Sequence, residues 1–197
     1  MKLTEVFYQQ PDVVEIARQL LGKVLTTRLN GVTCRVMITE TEAYAGITDK
    51  ASHAYGNRFT NRTKIMYEAG GTAYVYLCYG IHHLFNVVTN VEGIPHAVLI
   101  RAGQPLEGEQ SMLKRRKMKE MNPKLSTGPG ALSQAMGIHT KHSGLWLLND
   151  KIWIEDAGIK VPELISSPRV GVGYAQEDTL LPYRFYVKNS NWVSKTK

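Results

Sequence analysis

Apolar residues recur along this chain with two different periods. In Pro11 to Leu21, the positions Val13, Val14, Ala17, Leu20 and Leu21 share one face at helical spacing. Proline opens that run and Gly22 closes it, so a helix is predicted there. Lys23 to Arg28 and Val32 to Tyr44 read as strands on either side of Asn30-Gly31, a pair suited to a tight hairpin turn. Ala45 to Lys64 is polar and turn-rich and predicts a long loop. Structureless loops of that length are uncommon in compact domains and are often functional. Thr72 to Tyr79 and His83 to Asn90 are rich in aromatic and β-branched residues and predict paired strands around Gly80. Ala97 to Ala102 predicts a further strand, Leu106 to Met121 a basic helix, and Ala131 to Met136 a short helix after the Gly128-Pro129-Gly130 turn. The last third alternates short strands with turns, and no internal repeat is present. Strands outnumber helices and follow one another directly. That pattern predicts an α+β (mixed α/β) fold: a curved, largely antiparallel sheet with flanking helices and a protruding hairpin.

Composition narrows the class. A chain of 197 residues fits a single domain, residues 1–197. With 43% apolar and 21% charged residues, it is an ordinary globular composition. No apolar run reaches the roughly 18 residues of a membrane-spanning helix. The start, MKLTEVFYQQPD, lacks the apolar core of a secretion signal. Cys34 and Cys78 are too few for a disulfide framework or a cysteine-based zinc site. The expectation is a soluble, cytoplasmic protein.

Charge adds a partner class. The formal net charge is +7, from 24 Lys+Arg against 17 Asp+Glu, which favours a polyanion. The basic residues are clustered. Leu113 to Lys124 (LKRRKMKEMNPK) holds six cations, including Lys114, Arg115 and Arg116, and one acid. Arg58, Arg62 and Lys64 form a second group, and four basic residues without an acid lie from Arg184 onward. Any one such run reads most simply as a solvated face. Three in one small chain, with Tyr55, Phe59 and Tyr67 nearby, point toward a phosphate-backbone surface. No segment pairs its cations with the apolar face that an interfacial membrane helix needs.

Candidate chemistry concentrates in VMITETEAY, Val36 to Tyr44. In a strand, Glu40, Glu42 and Tyr44 point the same way. On this fragment alone, a strand that turns its acids to solvent is the simpler reading. The functional alternative is a carboxylate in a partly dry cleft. There it can activate water or stabilise positive charge on a sugar carbon. The histidines show no metal-ligand spacing: His82 and His83 point to opposite faces of a strand, and His53 lies alone in the long loop. Tyr79 precedes Gly80 at the tip of the predicted hairpin. A large aromatic there has little to pack on, and DNA-bending proteins use such tip residues as wedges between bases.

The motifs ITETEAY, AxHAY at Ala51 to Tyr55, AYVYLCYGIHHLFNVV, VLIRAGQPLEG, TGPGALSQAMGI, RVGVGYA and RFYVKNSNWVS occur in this order. Together, from about Phe7 to Ser194, the chain resembles the alkyladenine (3-methyladenine) DNA glycosylase family. That resemblance implies a mixed α/β domain whose hairpin enters the DNA minor groove. It also implies hydrolysis of the N-glycosidic bond of alkylated or deaminated purines. Carried over by motif, Glu42 matches the general base. Arg101 and the backbone of Val170 match contacts to the nucleophilic water. Tyr44, His53 and Tyr76 match the residues that sandwich the flipped base, and Tyr79 matches the intercalating tyrosine. Asn86 matches the asparagine that clashes with the 2-amino group of guanine. Two departures stand out. Glu68-Ala69-Gly70-Gly71 lacks the proline that often precedes the strand-opening glycine, and Ala131 stands where many members carry lysine.

The resemblance implies a monofunctional enzyme with no cofactor and no metal, acting as a monomer on duplex DNA that contains a damaged purine. The location implied is cytoplasmic, with the nucleoid. Substrates implied are 3-methyladenine, 7-methylguanine, hypoxanthine and ethenoadenine. Arg58, Arg62, Lys64, Lys114, Arg115, Arg116 and the C-terminal cations are then candidate backbone contacts. Two rivals share parts of the pattern: a non-catalytic binder of single-stranded nucleic acid, and a small-molecule nucleoside hydrolase. Only the glycosylase leaves abasic sites in duplex DNA.

Overall fold

The structure, a computed structural model, describes residues 1–195. Helix α1 (Glu5–Tyr8) precedes α2 (Val13–Gln19), whose first turn is capped by the Asp12 carboxylate accepting from the amides of Val14 and Glu15. Strands β1 (Val24–Leu29) and β2 (Val32–Tyr44) flank Asn30-Gly31, both at positive φ as a tight hairpin requires. Then follow β3 (Ala73–Cys78), β4 (His82–Thr89), β5 (His96–Glu107), α3 (Glu109–Arg116), α4 (Pro129–Met136), β6 (Ile152–Glu155), β7 (Leu164–Ser167) and β8 (Arg184–Val187). They form one eight-stranded sheet in the order β3-β4-β5-β2-β1-β6, with β8 on β2 and β7 on β8. All its pairings are antiparallel. The α+β class read from strand order is the class observed.

β2 organises the site. One edge pairs with β5; the other pairs with β1 up to Met37 and with β8 from Glu40 to Glu42. Where it changes partner, the β5 register slips around Thr39 and Glu40. A bulge of this kind re-aims side chains next to it. β2 is therefore paired along both edges here, and Thr39 to Ala43 are all buried. Beyond the slip, one row crosses four strands: Glu42 opposite Leu99, Leu99 opposite Asn86, and Asn86 opposite Tyr74. Directly opposed residues share a sheet face, and three interstrand gaps span about 14 Å. The row thus sets an acid and an aromatic wall on one face.

The core lies between the sheet and its helices, with Ile16, Ala17 and Leu20 of the α2 region and Leu132, Ala135 and Met136 of α4 packed against it. Buried hydroxyls fasten the helices to strands: Thr41 donates to the Ala17 carbonyl at 2.8 Å and Thr27 to that of Met136 at 3.0 Å.

Several expected boundaries shift. β5 runs to Glu107, through the segment expected to begin a helix, because β2 keeps pairing with it as far as Arg35. The basic helix is correspondingly short: it follows Gly108 and ends at Lys117, both left-handed. The Glu68 to Gly71 stretch is closely held. The Gly70 amide donates to the Asn90 carbonyl at 2.8 Å, and a Cβ there would lie 2.5 Å from the Tyr8 carbonyl oxygen. A proline at that position would lose the bond and meet that oxygen, so glycine suits this chain.

Candidate active site

The expectation that β2 turns its acids to solvent is overturned: Glu40 and Glu42 are both 0% exposed. Buried carboxylates need partners, and each has several. Glu40 accepts from Arg101 Nε at 2.8 Å, Arg184 Nε at 2.7 Å, the Ser194 amide at 2.7 Å and the Ser194 hydroxyl at 2.8 Å. Burial alone would raise its pKa, but Arg101, the Ser194 amide and Arg184 together hold it below the ordinary carboxylate range. Glu42 is held differently. Its Oε1 accepts from the Val170 amide at 2.7 Å, and its Oε2 from the Tyr44 hydroxyl at 2.9 Å, with Arg101 Nη1 3.2 Å away. Arg101 thus bridges the two acids. Burial, then the charge of Glu42, pushes the Tyr44 phenol far above its usual range, so it donates to the carboxylate as a neutral hydroxyl.

The amide of Val170 is placed by its neighbour. Arg169 forms a two-pronged pair with Asp49, at 2.5 and 2.8 Å, and donates to the Ala43 carbonyl at 2.8 Å. Asp49 in turn accepts from the amides of Ala45 and Ala51. One buried ion pair therefore ties the 45–51 loop to the segment that presents Val170. Arg169 also lies 4.9 Å over the Tyr44 ring. Sequence reasoning placed Glu40 on the same face as Glu42 without giving it a role, and missed Asp49 and Arg169. Only an acid adjoining the motif, and a position beside Val170, could have drawn attention to them.

Beside Glu42 lies a cleft lined by Tyr44, Ala51, His53, Met66, Tyr74, Tyr76, Asn86, Ala97 and Tyr174. It brings together the base-contact residues expected from the motifs and adds Tyr74 and Tyr174. Its free volume is small, about 30 Å³. His53 Nδ1 meets the Tyr74 hydroxyl at 2.9 Å, and its ring packs edge-on against Tyr76 with centroids 4.7 Å apart. Burial first, then Arg62 and Arg58, lowers the His53 pKa to about 4, so the ring is neutral near pH 7. Asn86 is buried, and its amide nitrogen donates to the carbonyls of Tyr74 and Leu84 at 3.1 and 3.2 Å. So anchored, its side chain does not swing aside easily.

At the far end of β3, Tyr79 and Gly80 have φ of 50° and 71°, and the Ile81 amide donates to the Cys78 carbonyl. Two positive φ values closed by that bond make a type I′ turn. Tyr79 is 90% exposed, and Leu77 and Ile81 are exposed beside it. The hairpin therefore ends in an apolar tip, which soluble proteins usually avoid unless it meets a partner.

The basic residues separate into two kinds. Arg58, Lys64 and Lys114 are exposed. Arg115 and Arg116 are half-buried and bonded to carbonyls of the fold. Arg115 donates to the Ala135 carbonyl at 2.8 Å, and Arg116 to the carbonyls of Leu125 and Lys124, each at 3.1 Å. Arg184 is buried on Glu40, and Lys188 pairs with Glu163 at 2.8 Å. Each of these four has a partner within the fold that charge counting does not show; Lys197 lies outside the described residues. Arg62 lies over the Tyr76 ring at 4.7 Å. A basin of about 610 Å³ instead gathers Arg28, Arg115, Lys141 and Lys151, with no acid among its lining residues. Its rim residues His139 and His142 adjoin Thr140, which lines a groove running back to Arg62, Lys64 and Tyr76. Ala131 sits half-buried in the first turn of α4. Among the described residues there is no group of three or more metal-ligating side chains, and no helix long and apolar enough to cross a membrane.

Comparison with known proteins bears on this arrangement. The family model for methylpurine-DNA glycosylase matches residues 6–191. A Clostridium novyi protein is 42% identical over 98% of both chains, one from Natranaerobius thermophilus 43% over 98% of this chain and 99% of its own, and one from Chlamydia pneumoniae 46% over 93% of both. Each carries, by inference, the name 3-methyladenine DNA glycosylase. Since the match runs along almost the entire length of every chain compared, the chain belongs to the methylpurine-DNA glycosylase family, enzymes that hydrolyse N-glycosyl bonds in DNA.

Proposed function

We propose that this enzyme removes alkylated and deaminated purines from duplex DNA by flipping the nucleotide out and hydrolysing its N-glycosidic bond with a water held at Glu42. The carrying observation is the fully buried Glu42, fixed by an amide, a phenol and a guanidinium at the edge of a tyrosine-lined cleft. Two hydrogen-bond donors and the Arg101 guanidinium hold the carboxylate charge in place and leave lone-pair capacity for a water. In a dry site that charge also stabilises the oxocarbenium character growing at C1′. Tyr44 and Tyr76 would face the flipped base, with His53 at its edge. Tyr79 would fill the gap in the stack and slow the base's return. Unstacking costs a few kcal/mol, and less for a poorly paired damaged base. A cationic methylated purine gains ring attraction of about 0.5–2 kcal/mol, whereas neutral hypoxanthine needs a proton on leaving. Asn86, anchored by two bonds, would reject the 2-amino group of normal guanine.

No lysine lines the cleft among the described residues, so simple hydrolysis without an imine or strand scission is expected. Duplex phosphates would lie on Arg58, Lys64, Lys114 and the groove that leads to the Lys141 basin. The protein would act as a monomer, in the cytoplasm with the nucleoid, without cofactor or metal. A single-strand binder would have no use for a buried acid beside its stacking surface, which disfavours that alternative.

The test is a panel of duplexes, each with one 3-methyladenine, 7-methylguanine, hypoxanthine or ethenoadenine, assayed with and without alkali. Breaks that form only after alkali are expected. Intact strands on every lesion would overturn the proposal, and breaks before alkali would overturn its hydrolytic form.

A further inference from the structure

His53 has no free nitrogen with which to meet a base. Its Nδ1 lies 2.9 Å from the Tyr74 hydroxyl, and its Nε2 lies 3.2 Å from Arg62 Nη2. Arginine only donates, so Nε2 is the acceptor and the proton sits on Nδ1. The same guanidinium lies 4.7 Å over the Tyr76 ring. A flat, delocalised cation on the tyrosine, with an N–H on the histidine, has the chemical form of a flipped alkylpurine. The cleft beside it has only about 30 Å³ of free volume. Arg62 itself is solvent-exposed and lines the outer groove with Lys64, Tyr76 and Thr140, within reach of a backbone.

We propose that Arg62 is a resident stand-in for the base, seated on Tyr76 and His53 until a DNA phosphate draws it out into the groove. The inference rests on the base-binding reading of the cleft. Its consequence is coupling: the pocket opens when a nucleotide brings its phosphate, not when a planar molecule merely diffuses in. Once released, His53 Nε2 is a bare acceptor suited to a base edge that donates, such as an exocyclic amino group or a ring N–H.

Ethenoadenosine, uncharged and fluorescent, and its monophosphate test this as inhibitors of excision from a hypoxanthine duplex. Wild type should bind the phosphorylated form much more tightly than the nucleoside. In Arg62→Ala the nucleoside should bind about tenfold more tightly than to wild type, as expected for removing a stacked cation. The advantage of the phosphate should then largely vanish. Arg62→Lys, which keeps the charge but not the planar fork, should retain the phosphate advantage while still gaining nucleoside affinity. Unchanged or weaker nucleoside binding by Arg62→Ala, with its melting temperature intact, would make Arg62 part of the pocket wall and overturn the proposal. If Tyr76→Ala leaves lesion-duplex binding unaltered as well, the base-pocket reading itself fails.

Discussion

The two halves of this site are built on opposite principles. Around Glu40 and Glu42, each acid is buried and its carboxylate is bonded, with donors drawn from β2, β5, β8 and the segments at Val170 and Ser194. On the other side Tyr76 is half-buried, Tyr79 is exposed, and one of the two partners of His53 is a surface arginine. The difference teaches where precision is required. A charge that stabilises a transition state must be placed before the substrate arrives, because reorganisation is costly. A surface that accepts several damaged bases must give way.

The comparison can be broken at four points. The largest effect is expected at Glu40. It touches no reacting atom in this account; it positions Arg101. Glu40→Gln leaves Arg101 and Arg184 short of a buried counter-charge, and breaking such a group costs about 3–5 kcal/mol. A urea melt should show that loss. Its acid limb should also flatten, since a carboxyl with a depressed pKa stabilises the fold above 4.5 and loses that contribution as pH falls through its folded value. An unchanged melt would mean the lattice is ornamental.

Next comes Tyr79→Ser at the tip. Burying an aromatic side chain contributes about 1.5–3 kcal/mol, so lesion-duplex affinity should fall roughly tenfold or more with folding stability untouched. Equal affinity in a fluorescence titration would remove the wedge. His53 should act through pH. Its pKa of about 4 lies below the ordinary 6.5, so the unfolded chain takes up the proton first and stability declines from pH 6.5 toward 4. His53→Asn should flatten that window specifically. The smallest effect is expected at Lys141→Ala, which should lower the slope of log affinity against log salt by about one while leaving the single-turnover rate alone.

Much of this was legible in the chain. The Asn30-Gly31 and Tyr79-Gly80 turns announced both hairpins, since few residue pairs tolerate two positive φ values in succession. β2 was readable at both ends because its alternation and apolar content agree. β5 was not, because Gly103 and Pro105 look like breakers when seen without β2 alongside. Arg101, Arg169 and Arg184 find their acids 61, 120 and 144 residues away, a separation that local pattern does not encode. For the same reason Arg115, Arg116 and Arg184 read as free cations: composition counts a charge but does not see the carbonyl or carboxylate that occupies it.

The central claim is that Glu42 carries the chemistry while the rest of the site delivers the base to it. Glu42→Gln keeps the shape and most of the hydrogen-bonding capacity and removes the charge. Single-turnover excision of hypoxanthine, with enzyme in excess over duplex, measures the step directly. The rate should fall by about 10²–10⁴, the range typical of losing a general base, while affinity for the same duplex stays within a few-fold of wild type. A near-normal rate at unchanged affinity would contradict the account.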